Sequence, residues 1–287
     1  MFHPELTQAV EGFSALVLPL SEKELEHEWK WKDHDEEGIR FAFFVTLQEL
    51  RDLAVRLATP STALRTRPTP AQHILGQYHA AYMDLQAALL GLSSEQAGRA
   101  PTEGEWSVQQ VYAHILSTEI NFTITVRYAL EKHRAAVWTP ERMSDEDENR
   151  LAGMSEEEYQ ALISAPLEEM LAYHRGLHLQ IIDEFSAITD SELELPSTFW
   201  EETRFPIRHR LHRYEAHFAQ HTIQIDKTLV AIGRAPTESK RLLRKIYAAL
   251  AEAEAMVIGS EKMDDTVIRA TASSISERTR EIGVMLK

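Results

Sequence analysis

The chain has no cysteine, little positive charge and no long apolar run, and each absence closes off a class of function. Without thiols there is no disulfide, no thiolate metal ligand and no cysteine nucleophile. A bound metal must then be held by histidine or carboxylate, and any thiol chemistry needs an added cosubstrate. Lys and Arg number 30 against 45 Asp and Glu, a net charge of -15, which argues against a basic groove that neutralises phosphates. No nucleic-acid partner is expected. No apolar stretch approaches the roughly 20 residues of a membrane-spanning helix, and the opening Met-Phe-His-Pro-Glu lacks the basic start and apolar core of a signal peptide. The expectation is a cytoplasmic protein with no membrane partner.

What is present reads as an all-α protein. Apolar residues recur at three and four along nearly every periodic segment, and no run alternates for long. Residues 21–57 open on a capping box, Ser21 to Glu24, pass an acidic break at 33–37, and resume with Ile39, Phe41, Phe44, Leu47 and Leu50 at helical spacing. Asp33, His34 and Asp35 within that break read as a solvated acidic turn, not a metal cluster. Residues 59–70, rich in proline and threonine, form a linker. Four long helical patterns follow, at about 70–92, 107–133, 166–188 and 206–232, the last stopping at Gly233. Four amphipathic helices with one short and two long connections predict a four-helix bundle, with the connections 135–165 and 189–205 as candidate lids. The last fifty residues read as a helical hairpin that either packs on the N-terminal helices or mediates a homodimer. The expected division is an N-terminal helical extension, 1–66, the bundle, 67–234, and the hairpin, 235–287.

The chemistry in this pattern lies in three histidines. His217 and His221 are four apart on the fourth bundle helix, so both imidazoles fall on one face about one turn apart. With Gln224 and Thr228 they form an uncharged polar stripe beside the apolar face of Ile207, Leu211, Tyr214, Phe218, Ile225 and Leu229. The second helix repeats the design. Ser107 and Gln110 form its capping box, and His114, Thr118, Asn121 and Thr125 flank Val111, Ile115 and Phe122. If the two stripes face each other they line a polar pocket in the bundle, and three neutral imidazoles suffice to hold a divalent metal with positions left open.

At these residues the chain resembles the DinB-like (YfiT-type) superfamily of four-helix-bundle metalloproteins. The matching pieces are Glu105-Trp-Ser-Val-Gln-Gln-Val-Tyr-Ala-His114-Ile115 and His217-Phe-Ala-Gln-His221-Thr-Ile-Gln224-Ile225, within a resemblance spanning about residues 70–233. The resemblance implies a metal held by His114, His217 and His221, with Zn or Ni the expected ion. It also implies activity on a small-molecule substrate, either metal-dependent hydrolysis or transfer to an external low-molecular-weight thiol. The alternative is a noncatalytic, stress-associated module that binds a metal or small molecule. This chain has Thr222-Ile223 where many members have Arg-Gly.

Other residues compete for roles. His174 and His178, four apart on the third helix, lie near the centre of its apolar face and read as hydrogen-bonded core histidines or as supports for the ligands more than as ligands. His209 and His212 are expected to be exposed. Tyr78, Tyr82, Trp106, Phe199 and Trp200 could line a substrate pocket, although aromatics at helical spacing more often form plain core. Glu119 is a candidate base that projects on the opposite flank from His114.

Overall fold

A computed structural model describes residues 2–34, 36–59, 68–137, 143–199, 203–260 and 265–287. Among these residues the chain forms eleven α-helices and two short two-stranded ribbons, so the protein is all-α. No described helix is long and apolar enough to cross a membrane.

The chain divides into two compact units. The first joins residues from both ends of the sequence: 1–67, 82–91 and 235–287. Here α1 (Pro4–Val17) packs on α11 (Asp265–Met285), and α2 (Arg40–Ala58) packs on α10 (Glu238–Ala255). The C-terminal hairpin thus closes on the N-terminal helices. Phe13 of α1 meets Phe43 of α2 edge-on, with ring centroids 5.3 Å apart, in the core that results. Buried Arg278 of α11 donates to Thr46 of α2 at 2.6 Å, pairs with Glu49 at 2.7 Å, and lies under the Trp31 ring.

The expected N-terminal helical extension opens on α1, which buries Leu6, Val10, Phe13 and Val17 on one stripe. Two sequence expectations need correction in this unit. The Ser21 and Glu24 capping box forms, with Glu24 accepting from the Ser21 amide at 2.8 Å. It leads into only a single 3₁₀ turn, followed by an antiparallel ribbon of β1 (Glu28–Lys30) and β2 (Glu36–Gly38). On α2 the buried face is Ala42, Phe43, Leu50 and Leu53, with Ile39 buried just before it, which leaves Phe44 44% exposed instead of core. Asp33 and His34 are exposed, as a solvated turn requires; Asp35 lies outside the described residues.

The second unit, residues 68–81 and 92–234, holds the bundle. Its long helices are α3 (Pro70–Leu89, whose last turns belong to the first unit), α5 (Val108–Arg134), α8 (Leu167–Phe185) and α9 (Ile207–Ala231). A one-turn helix, α4 (Ser94–Ala97), fills the connection before α5. α5 begins as its capping box dictates, with the Ser107 hydroxyl accepting from the Gln110 amide and the Gln110 side chain returning to the Ser107 amide. α9 ends at Gly233, whose φ of +79° suits a residue without Cβ. There the Arg234 amide turns back onto the Leu229 carbonyl at 2.7 Å.

The two long connections carry structure of their own. The first contains the acidic helices α6 (Asp145–Ala152) and α7 (Glu156–Ile163), each capped by a serine, and both packed on α5. The second forms a small ribbon, β3 (Pro196–Ser197) with β4 (Phe205–Pro206). The 59–70 linker lies largely outside the described residues, as does Trp200.

Candidate metal centre

α5 and α9 pack along one another, which brings the histidines of their uncharged polar stripes together. His114 and His217 meet across that seam with their Nε2 atoms 3.1 Å apart. His221, one turn beyond His217, completes the group: ring centroids lie 4.7 Å from His114 and 4.4 Å from His217. One ring nitrogen from each residue falls within 4.8 Å of the others. Among the described residues this is the one cluster of three or more His, Asp or Glu donors gathered so closely.

The donors suit a divalent ion. Four-coordinate zinc binds imidazole nitrogen at about 2.0–2.1 Å, which puts ligand nitrogens on the order of 3.3 Å apart. The observed separations bracket that figure, so closing on an ion needs only small side-chain rotations. A ligand must be neutral to offer its lone pair. Burial, then the charges of His221, His114 and Arg213, holds His217 down to about 3. Burial and then His221 lower His114 below its ordinary value as well. Both are therefore unprotonated at neutral pH.

Gln224 fixes the third donor. Its side-chain oxygen lies 2.8 Å from Nδ1 of His221, and an amide oxygen can only accept. The proton is thus on Nδ1, and Nε2 is left with its lone pair directed elsewhere, the usual arrangement of a histidine ligand. Around the group, Trp106 abuts His114 with ring centroids 5.4 Å apart, Phe122 lies 6.3 Å from the His217 ring, and Phe199 packs on Phe122 at 5.6 Å.

A second polar network, buried in the bundle core, absorbs the other titratable residues. Glu119 of α5 is fully buried and accepts from the Tyr78 hydroxyl of α3 while pairing with Nε2 of His174. The Tyr112 hydroxyl lies 2.6 Å from His174 Nδ1. One turn further along α8, His178 lies 2.9 Å through Nε2 from Nδ1 of His79. Tyr78 sits between the two pairs, with its ring 4.6 Å from that of His178. Glu119 is thus embedded in the core, and Tyr78 is core, not pocket wall. His79 has no counterpart in the sequence reading: nothing in a lone histidine beside Tyr78 signals that it faces His178 across two helices. Tyr82 is buried in the other unit. His212 is exposed, whereas His209 is half-buried, stacked on Phe205 at 4.2 Å.

No curated protein and no solved structure matches this chain. A family model described as the DinB superfamily matches residues 77–225, a span that takes in α5, α8, the three histidines and Gln224. That match covers just over half of the sequence, and the chain belongs to the DinB superfamily.

Proposed function

We propose that this protein is a divalent-metal-dependent enzyme whose ion is held by His114, His217 and His221. The observation that carries the reading is the convergence of three imidazoles, within 4.8 Å of one another, with no carboxylate in that group among the described residues. A closed structural site uses four protein ligands, whereas a three-histidine set leaves positions for an exogenous group. Zn and Ni are among the ions that imidazole donors suit.

When bound, the ion supplies a lowered pKa to a coordinated water or thiol, making hydroxide or thiolate available near neutral pH for attack on a small electrophilic substrate. The protein's own groups do the rest. Gln224 holds the His221 tautomer. Burial keeps His114 and His217 unprotonated. Phe122 and Phe199 exclude water from one flank. The absence of cysteine means that thiol transfer would need an external low-molecular-weight thiol. Hydrolysis and thiol transfer are the two reactions this arrangement accommodates.

The test is metal content and thermal stability of the full chain with and without chelator, for wild type and for His221→Ala. Wild type is expected to hold one divalent ion per chain, to lose it to chelator while staying folded, and to turn over an ester or electrophile panel in the loaded form. Protein that binds no ion, or binds one and turns over no substrate with or without an added thiol, overturns the enzymatic reading.

A further inference from the structure

The first turn of α9 buries a charge. Arg210 lies two turns before His217, on the same buried stripe as Tyr214 and His217. Its Nε–H donates to Ser197 Oγ of β3 at 3.1 Å. The Ser197 hydroxyl in turn donates to the Phe205 carbonyl of β4 at 2.8 Å, so the single hydroxyl proton is committed within the ribbon and the oxygen is left to accept from the guanidinium. The guanidinium carbon also lies over two rings, 5.3 Å from the centroid of Phe205 and 5.7 Å from that of Phe199. One side chain therefore grips both arms of the ribbon.

From there the contacts lead to the histidines. The Phe199 ring packs edge-on against Phe122 of α5 at 5.6 Å, and Phe122 packs edge-on against Tyr214 at 5.7 Å and His217 at 6.3 Å. A guanidinium taken out of water loses its hydration, whereas an apolar side chain of similar length would fill the position without that loss. Stability alone does not call for arginine here. What arginine supplies is direction: a rigid planar fork, bonded to one residue and laid over the rings of two others, holds the ribbon in one placement.

We propose that Arg210 is a positioning residue for the centre: it clamps the ribbon so that Phe199 stays on Phe122 and the two rings close one flank of His217. Seven residues of helix rise about 10 Å, so Arg210 acts on His217 through the two phenylalanines and not by contact. The consequence for a bound ion rests on the metal-enzyme reading, whereas the shielding of His217 holds for the chain without an ion.

The test is the rate at which diethyl pyrocarbonate modifies His217 in the full chain with chelator present, located by tandem mass spectrometry. Arg210→Met keeps the length of the side chain and removes its charge and donors. It should raise the His217 rate about tenfold, the scale of a lost desolvated cation–π contact. His178, buried in the bundle core, should keep its wild-type rate. Phe199→Ala should raise the His217 rate at least as far, and adding Arg210→Met to it should bring no further increase, because the arginine acts through that ring. Should Arg210→Met not fold, Ser197→Ala takes its place: it removes the hydroxyl that accepts the Nε–H, and about a threefold increase is expected, again only while Phe199 is present. A wild-type His217 rate in the folded variant, increases that multiply in the double variant, or acceleration shared by His178 overturns the proposal. Protein that binds no zinc yet shows the expected pattern refutes only the metal reading.

Discussion

Acid should destabilise the bundle through His178, and the size of the effect follows from where that ring sits. His178 is buried in the core with Nε2 on His79 Nδ1, and burial, then the charges of His79 and His174, pushes its pKa well below the ordinary 6.5. The unfolded chain therefore takes up a proton that the folded chain excludes. Stability from this residue is complete above the unfolded pKa and declines as pH falls through 6.5, at about 1.4 kcal/mol per pH unit while the folded ring remains neutral. Between about pH 7 and about pH 5 the loss amounts to about 2 kcal/mol. Urea unfolding followed by circular dichroism at the two pH values, with chelator present throughout, measures it. His178→Gln keeps a polar partner for His79 but cannot titrate, so it should lose about 2 kcal/mol less than wild type over the same interval. Equal losses in the two proteins would refute the argument, because His114, His217 and every carboxylate contribute alike to both.

Three further outcomes are expected. Gln224→Leu should weaken zinc binding by about tenfold or more, read by calorimetry, since the His221 tautomer loses the acceptor that fixes it. Glu119→Ala should destabilise the bundle by about 3–5 kcal/mol in chemical denaturation, because Tyr78 and His174 are left in the core without their shared acceptor. Ser107→Ala should cost about 1 kcal/mol in the same assay and leave zinc affinity unchanged, since the cap starts α5 two turns before His114 but touches none of the donors.

The helices and the three-histidine group were legible because each rests on local spacing. Ser107 and Gln110 announce the start of α5, Gly233 marks the end of α9, and four-residue spacing alone puts His217 and His221 on one face. That His114 meets the pair followed from two helices each carrying histidine in an uncharged polar stripe beside its apolar face. Pairing within the core was not legible. Glu119 projects away from His114, and only the crossing of α5 with α8 makes it the partner of His174 instead of a base at the centre. The face of α2 was misjudged by one residue at Phe43 and Phe44, because two adjacent phenylalanines fit helical spacing equally well. α1 falls inside the expected helical extension, but its bounds were not marked in the sequence, because its buried stripe of Leu6, Val10, Phe13 and Val17 is short and lacks a capping side chain. The ribbon after residue 27 replaced a helix that a valid capping box had begun, a case of tertiary packing overriding a local start signal.

The unit built from both ends of the sequence bears on how the molecule is made. α1 and α2 leave the ribosome with their apolar faces bare, and the helices that cover them, α10 and α11, are synthesised only after the entire bundle. The histidine-bearing part has all its partners at hand and can mature first. α1 and α2 must wait, exposed to chaperones and to neighbouring nascent chains, until α10 and α11 have emerged. Premature termination between Gly233 and the start of α10 would release a chain that has the bundle helices but an orphaned amino-terminal pair prone to aggregate.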